Sequence, residues 1–341
     1  MGVNLYVHFP FCRRKCAYCA LHSRPGVSAA DRAGYVAALV QRVRQLGSRI
    51  DGLATVYFGG GTPALCDLSP LLNELEPKLL PDVEFTVELH PLDVSPDLLS
   101  RLRDGGASRI SMGVQSLEDD VLSAMGRGYS AAAAERAFCL VRKTFDNAGI
   151  DLIVGYPGER DDWAALLSRL SGWGLSHCSV YALQNERGLK NVADDDTVLS
   201  RLAAAASRLR DLGLERYEIS NYAVPGRECR HNMAVWRGED YLGLGEGAHG
   251  RLGLLRTVDY LGPSAETETV TPEADWTERR LFRLRTREGL DISLLGGELP
   301  QVWATALAKR VQEGLLAQDG TVYRLTERGT EVCDSMLADF V

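Results

Sequence analysis

The 341-residue chain is 45% hydrophobic and 25% charged, an ordinary globular composition that excludes a disordered or collagen-like polypeptide. It carries 38 basic against 46 acidic residues for a net charge of -8, and all but five of the basic residues are Arg. No general basic field is therefore present to hold a nucleic-acid backbone, and nucleic acid is not expected as a partner.

In chain order, short β-branched runs alternate with longer segments of helical period up to about residue 213. Strands are predicted at 3–9, 53–58, 83–89, 108–114, 150–155 and 178–183, and helices at 29–46, 69–80, 95–103, 117–145, 162–173 and 197–212. The fourth helix is expected to break near Gly126-Arg127-Gly128. Ser69, Ser95 and Asp196 are candidate N-caps, with Pro70 and Pro96 at first helical positions, where a missing N–H costs nothing.

Such alternation implies a parallel sheet with right-handed crossovers. Chemistry-bearing residues follow four successive strands: the Cys cluster, then Gly59-Gly60-Gly61-Thr62-Pro63, then Glu88 and His90, then Gln115. Polar groups gathered at one mouth favour an incomplete (βα)6 barrel within an α/β chain over an open sheet. After 214 the pattern changes: a strand at 214–222, a Gly-, aromatic- and His-rich stretch at 230–250, helices at 276–285 and 301–314, a strand at 321–325 and a last helix from Thr326. The expected division is a barrel over 1–213, a linker region over 214–265 and a small winged-helix-like α+β appendage over 266–341.

No stretch reaches the roughly 18 apolar residues of a spanning helix, so no integral membrane segment is expected. The start, Met1 to Tyr6, has neither the basic and apolar runs of a signal peptide nor the Ser or Thr that myristoylation needs at position 6. A cytoplasmic protein with reduced thiols follows as the expectation.

Three of the eight Cys fall within eight positions, as Cys12-x3-Cys16-x2-Cys19. Three thiolates on one loop suit a cubane iron-sulfur cluster with one iron left open, and Arg13, Arg14 and Lys15 are expected to favour their ionised form. A Cys3His zinc site completed by His22 or His8 is the competing reading. The three glycines strip side chains from a strand end, so that backbone can approach a ligand. Gly245-Glu246-Gly247-Ala248-His249-Gly250 matches G-x-G-x-x-G only formally: it lies outside the strand-helix alternation, and no nucleotide site is expected there.

Further strings stand in order along the chain: Leu5 to Cys19, Gly59 to Pro63, Gly113-Val114-Gln115-Ser116, Asp151 to Gly158, Tyr217 to Tyr222, and Cys229-Arg230-His231-Asn232 to Trp236. Together they resemble the radical S-adenosylmethionine (SAM) family of oxygen-independent coproporphyrinogen III oxidases, and within it the HemW-type haem chaperones. The resemblance implies a [4Fe-4S] cluster on Cys12, Cys16 and Cys19, with SAM on the open iron. It also implies SAM contacts from Gly60, Gly61, Thr62, Glu88, Gln115, Arg127 and Asp151, with Tyr6, Tyr18 and Ala182 alongside.

Two departures bear on function. Relatives of the oxidase type carry a further Cys just past the third and a longer N-terminal segment, whereas Ala20 and Leu21 follow Cys19 here. In the His-Asn-x-x-Tyr-Trp motif of the chaperone branch, Val235 replaces Tyr, and Tyr129 stands where the family often has His. The resemblance thus implies a chaperone that binds cluster, SAM and haem. His231, an imidazole just before the aromatic Trp236, is the expected haem ligand, with His249, Cys229 and His22 as rivals, and the guanidinium of Arg230 or Arg237 suits the propionates. A haem-accepting client protein and an electron donor are the implied partners. The alternative is a radical SAM enzyme, an oxygen-independent coproporphyrinogen III dehydrogenase or one of related porphyrin or methyl-transfer chemistry. None of these motifs specifies an oligomeric state.

Overall fold

The computed structural model describes residues 2–160, 162–262, 265–295 and 299–340. The chain opens on β1 (Val3–Phe9) and a short parallel bridge between β2 (Phe11–Cys12) and β3 (Arg24–Pro25). Helices and strands then alternate: α1 (Ala29–Leu46), β4 (Leu53–Gly60), α2 (Ser69–Leu75), β5 (Leu79–Leu89), α3 (Pro96–Asp104), β6 (Arg109–Gln115), α4 (Asp119–Met125), α5 (Ala131–Arg142), β7 (Asn147–Val154), α6 (Trp163–Ser168), β8 (His177–Ala182) and α7 (Asp195–Asp211). β1, β4, β5, β6, β7 and β8 lie side by side in chain order with every pair parallel. That order is a barrel's, not the reversing order of a doubly wound sheet, and the wall is the incomplete (βα)6 barrel expected.

Several boundaries differ from the sequence reading, each for a local reason. The helix expected over 69–80 stops at Leu75, because Pro77 lies in the following 3-10 turn Glu76–Lys78 and cannot donate within a helix. Leu68, not Ser69, is its N-cap residue, and the Ser69 N–H goes to Asp67 (3.1 Å). Asp194, not Asp196, caps α7 by accepting from the Thr197 N–H at 2.8 Å. Ser95 caps α3 as expected. The strand expected over 214–222 is two short antiparallel strands, β9 (Glu215–Arg216) and β10 (Asn221–Ala223), because Glu218 accepts from the Ser220 N–H and turns the chain.

The segment after α7 extends both edges of the sheet. β10 pairs antiparallel with β8, while β11 (Leu242–Leu244), which follows α8 (Arg230–Trp236), pairs parallel with β1. A three-stranded antiparallel sheet of β12 (Ala248–Leu252), β13 (Leu255–Asp259) and β14 (Glu266–Thr269) comes next. The small C-terminal domain holds α9 (Pro272–Leu284), β15 (Leu290–Asp291), α10 (Gln301–Gln312), β16 (Leu316–Asp319), β17 (Val322–Leu325), α11 (Glu327–Glu331) and α12 (Cys333–Leu337), with its own core around Trp303, Leu307, Met336 and Phe340. No helix among the described residues is long and apolar enough to cross a membrane.

Period 2 sorts the barrel wall into two faces. Leu5, Val7 and Phe9 of β1, Val56 and Phe58 of β4, and Phe85, Val87 and Leu89 of β5 pack outward in one core with Leu39 and Val43 of α1. The alternate residues, Asn4, Tyr6 and His8, then Thr55 and Tyr57, then Glu84, Thr86 and Glu88, are polar and line the concave side.

The glycines of the 243–250 stretch are closely packed backbone. A Cβ on Gly243 would sit 2.0 Å from the His249 carbonyl oxygen, whereas one on Gly34 in α1 would meet nothing within 4 Å. Gly243→Ala should therefore destabilise the chain by about 1–3 kcal/mol or more, and Gly34→Ala should stabilise it by up to ~1 kcal/mol. Urea unfolding of the two variants checks both signs.

Candidate functional site

The loop between β1 and α1 carries Cys12, Cys16 and Cys19, all free and half-buried. The Cys19 N–H donates to the Cys16 carbonyl at 3.3 Å, and the Ala17 N–H reaches the Met125 carbonyl at 3.2 Å, which pins the loop to the end of α4. Burial raises the Cys12 thiol above its ordinary range, and the Cys19 and Cys16 sulfurs raise it further, so the three thiols share one field. Of the loop cations, Lys15 favours the ionised Cys12 thiol as expected, against the larger effect of burial. Arg13 pairs with Asp93, and Lys15 donates to the Leu21 carbonyl (2.6 Å) and Ser23 Oγ (2.8 Å). The guanidinium on a thiol is that of Arg127, whose Nη1 lies 3.5 Å from Cys16 Sγ.

The imidazoles of the zinc reading are engaged elsewhere. His8 shares one hydrogen bond with Tyr6 Oη (3.0 Å) and another with the His22 carbonyl (3.1 Å), while His22 Nε2 meets Glu246 at 3.0 Å. Among the described residues no three His, Cys, Asp or Glu converge at the spacing of a single ion.

The glycine turn at the end of β4 brings backbone against this loop. The Gly61 N–H donates to the Phe9 carbonyl at 2.8 Å, and a Cβ at Gly61 would stand 2.9 Å from Cys12 Sγ. Gly60 has φ +107°, and a Cβ there would lie 2.5 Å from the His8 ring. Thr62 is buried behind the turn. Glu88 holds it from β5, accepting from the Gly60 N–H (3.1 Å) on one oxygen and from Tyr57 Oη (2.8 Å) on the other. Burial, and then the charge of Asp151, push the Glu88 carboxyl up to about 7. Asp151 on β7 is also raised by burial and accepts from Ser111 Oγ at 3.1 and 3.3 Å.

At the end of β6, Gln115 has φ +73°, strained backbone for a side chain of this kind, where the β6–β7 register shifts. Its amide folds back over Gly113. Arg127 donates to the Gly113 carbonyl (2.5 Å) and to Tyr129 Oη (2.9 Å), and Tyr129 donates to the Val114 carbonyl (2.8 Å). Tyr18 stands edge-on to Tyr156 beside Arg127 and Cys16. These residues, with Tyr6, gather around one mouth. Ala182 ends β8 at the same end but is exposed, and it lines a cavity on the outer side of β8 beside α7.

His231 lies elsewhere, at the base of the barrel. It is 4% exposed and ringed by Tyr6, Tyr57 and Tyr241, and its N–H donates to Glu84 at 3.1 Å. Thr55 Oγ1 donates its proton to Asn4 (2.8 Å) and meets His231 Nδ1 at 2.8 Å, so Nδ1–H is the donor there and Nε2 keeps its lone pair. Burial, then the Arg109 charge, hold the imidazole down at about 4. Arg230 is taken up by Asp82 and Arg237 by Glu288.

Sequence reasoning passed over the lower barrel lining of Glu84, Arg109 and His177, and gave Tyr217 no role beyond its place in a motif. Glu84 receives the N–H groups of Arg230 and His231, and His177 shares a 2.8 Å bond with Tyr217. The missed signal was polar residues at every second position of β5 and β6. Because Glu88 binds its proton more tightly folded than unfolded, its contribution to stability is full below about 4.5 and is lost as pH rises to about 7. The parent should therefore lose ~1.4 kcal/mol per pH unit across that window relative to Glu88→Gln, as measured by denaturation of the cluster-free chains.

Comparison with known proteins agrees with this geometry. The radical SAM superfamily profile matches residues 6–170, and that of the HemN C-terminal domain matches residues 270–332. "Heme chaperone HemW" of Mycobacterium tuberculosis is 32% identical over 98% of this chain and 93% of its own length, and that of Bacillus subtilis is 28% identical over 99% of each. The solved structure of coproporphyrinogen III oxidase (HemN) from Escherichia coli superimposes with a TM-score of 0.83 at 21% identity, covering 99% of this chain and 90% of that one. At 32% identity to such a relative over 98% of its length, and with a radical SAM profile over residues 6–170, the chain belongs to the HemW-type family of radical SAM proteins.

Proposed function

We propose that the protein is a haem chaperone: it holds a [4Fe-4S] cluster and SAM at the barrel mouth, binds haem and hands it to a client protein, with an electron donor as a second partner. The observation that carries this reading is the near full-length similarity to chains named "Heme chaperone HemW". The absence of a further Cys just past Cys19 also favours it over the oxidase.

Cys12, Cys16 and Cys19 would hold the cluster, which when bound leaves one iron open to the amino and carboxylate groups of SAM. Gly60 and Gly61 keep that space clear, and Thr62 backs them. Arg127 places positive charge on the Cys16 sulfur. Glu88, Asp151 and Gln115 offer carboxylates and an amide to a sulfonium cation and a ribose diol, while Tyr6, Tyr18 and the Ala182 backbone flank them. His231 supplies the imidazole for haem iron. Its Nε2 lone pair is the available atom, and because the ring is buried, ligation requires α8 to part from β4.

Anaerobic reconstitution should give about four irons per chain. Cys12→Ala, Cys16→Ala and Cys19→Ala should each lose them, and Cys139→Ala should not. Stoichiometric zinc without sulfide in oxygen-free preparations would overturn the cluster. Gly60→Val should leave the iron in place and weaken SAM binding at least tenfold by calorimetry, since its Cβ alone would enter the His8 ring. The parent should bind haem with a defined Soret shift, altered in His231→Ala, and should form no vinyl product from coproporphyrinogen III with SAM and a reductant. Turnover of that substrate would give the enzyme reading instead.

A further inference from the structure

Where α8 meets the C-terminal domain, Arg237, Arg279, Arg280 and Arg283 converge on a cavity of about 180 Å³, in a chain whose net charge is -8. Three of them stand within one turn of α9, and Arg279 and Arg283 are like charges at i, i+4, a spacing that costs a helix stability. Two of the four are neutralised. Arg237 is bonded by both carboxylate oxygens of Glu288, and Arg279 pairs with Asp275 at 2.7 Å and with Asp240 at 3.5 Å.

The other two have no carboxylate. Arg280 lies flat over Trp276, 4.2 Å from the ring centre, and donates to the Trp276 carbonyl at 2.9 Å, while its buried Nε has no partner. The Arg283 guanidinium makes no hydrogen bond or ion pair among the described residues; Glu288 feels its charge only at longer range. The acid in the lining, Asp291, is already accepting from the Ser293 N–H and Oγ. Burial, then the charges of Arg279 and Arg283, disfavour the Arg280 cation, and Asp275 offsets them only in part. The rest of the wall is apolar: Leu295 lines the cavity, and Leu294 at its edge is 72% exposed.

Paired planar guanidinium forks match carboxylates, and a leucine rim matches an apolar body attached to them. We propose that this pocket binds the carboxylate edge of an amphipathic anion, the propionates of haem, with Leu294 and Leu295 against the macrocycle. The proposal rests on the haem-chaperone reading and extends it, because the propionate partners become Arg280 and Arg283 instead of Arg230 and Arg237, whose charges are spent on Asp82 and Glu288. Inorganic phosphate shares the chemistry of the charged end but has no apolar body.

The test is a Soret titration of the cluster-loaded full chain with haem, with haem dimethyl ester, and with haem in competition with inorganic phosphate. Arg283→Glu is the primary variant, since the Arg283 guanidinium has no bonds to lose; Arg280→Ala combined with Arg283→Ala is the second. Each variant should bind haem at least tenfold more weakly at unchanged iron content, and Arg280→Lys with Arg283→Lys should recover part of the loss. The ester should bind the parent no better than haem binds the variants. Parent-like haem affinity in Arg283→Glu, or ester binding equal to that of haem, would overturn the pocket while leaving the chaperone reading intact. No Soret shift in the parent would overturn both. Full displacement of haem by millimolar phosphate would make phosphate the occupant and reject haem.

Discussion

The close approach of the Gly59-Gly60-Gly61 backbone to the loop after β1 is the contact on which the rest of the site depends. No side chain fits between Gly60 and the His8 ring, or between Gly61 and the carbonyls of Phe9 and Phe11. With that gap closed, β1 and β4 end at the same height, and the cysteine loop has a fixed floor. The Gly60 N–H then finds its acceptor in Glu88, so a carboxyl group from the next strand is held at the mouth. Arg127 completes the arrangement from the opposite side, bridging the strained end of β6 to Cys16.

A barrel lined with polar groups carries an energetic liability, because every buried donor and acceptor needs a partner. The upper half meets the demand through Glu88–Tyr57 and Asp151–Ser111 pairs. The lower half is closed by the start of α8, whose Arg230 and His231 N–H groups cap Glu84 and whose imidazole joins Thr55 and Asn4. Some groups stay unmatched: Arg109 Nε and His177 Nδ1 are buried without partners among the described residues. α8 is thus both a stopper for the barrel and, through Arg237 at its end, one side of the arginine cavity against α9. A ligand at that cavity would act directly on the element that closes the barrel.

Much of the barrel was legible in the sequence. Short β-branched runs and helical segments impose periods of 2 and 3.6 that local propensity alone enforces, so β1 and α1 fall where the pattern puts them. The three cysteines and the glycine run were legible for a related reason: their chemistry is carried by spacing along the chain. Helix ends were less so: Asp67 takes the Ser69 N–H and Asp194 the Thr197 N–H, and only the path of the chain decides which oxygen reaches which donor.

What only the tertiary structure decided is which distant segments meet. Nothing in 242–244 announces a strand that pairs with β1, since three residues have too little period to read, and their pairing comes from the open barrel edge. The sequence made Arg13, Arg14 and Lys15 the obvious partners of the thiols, yet adjacency along a loop does not fix direction, and the guanidinium at Cys16 arrives from Arg127. His231 stands in a motif that sequence could find, but its burial against Thr55 and Glu84 depends on α8 folding under the barrel. The chain by itself determined which chemical groups are available and the strands that carry them; packing decided which of those groups face one another, because contacts between residues far apart in sequence exist only once the barrel closes.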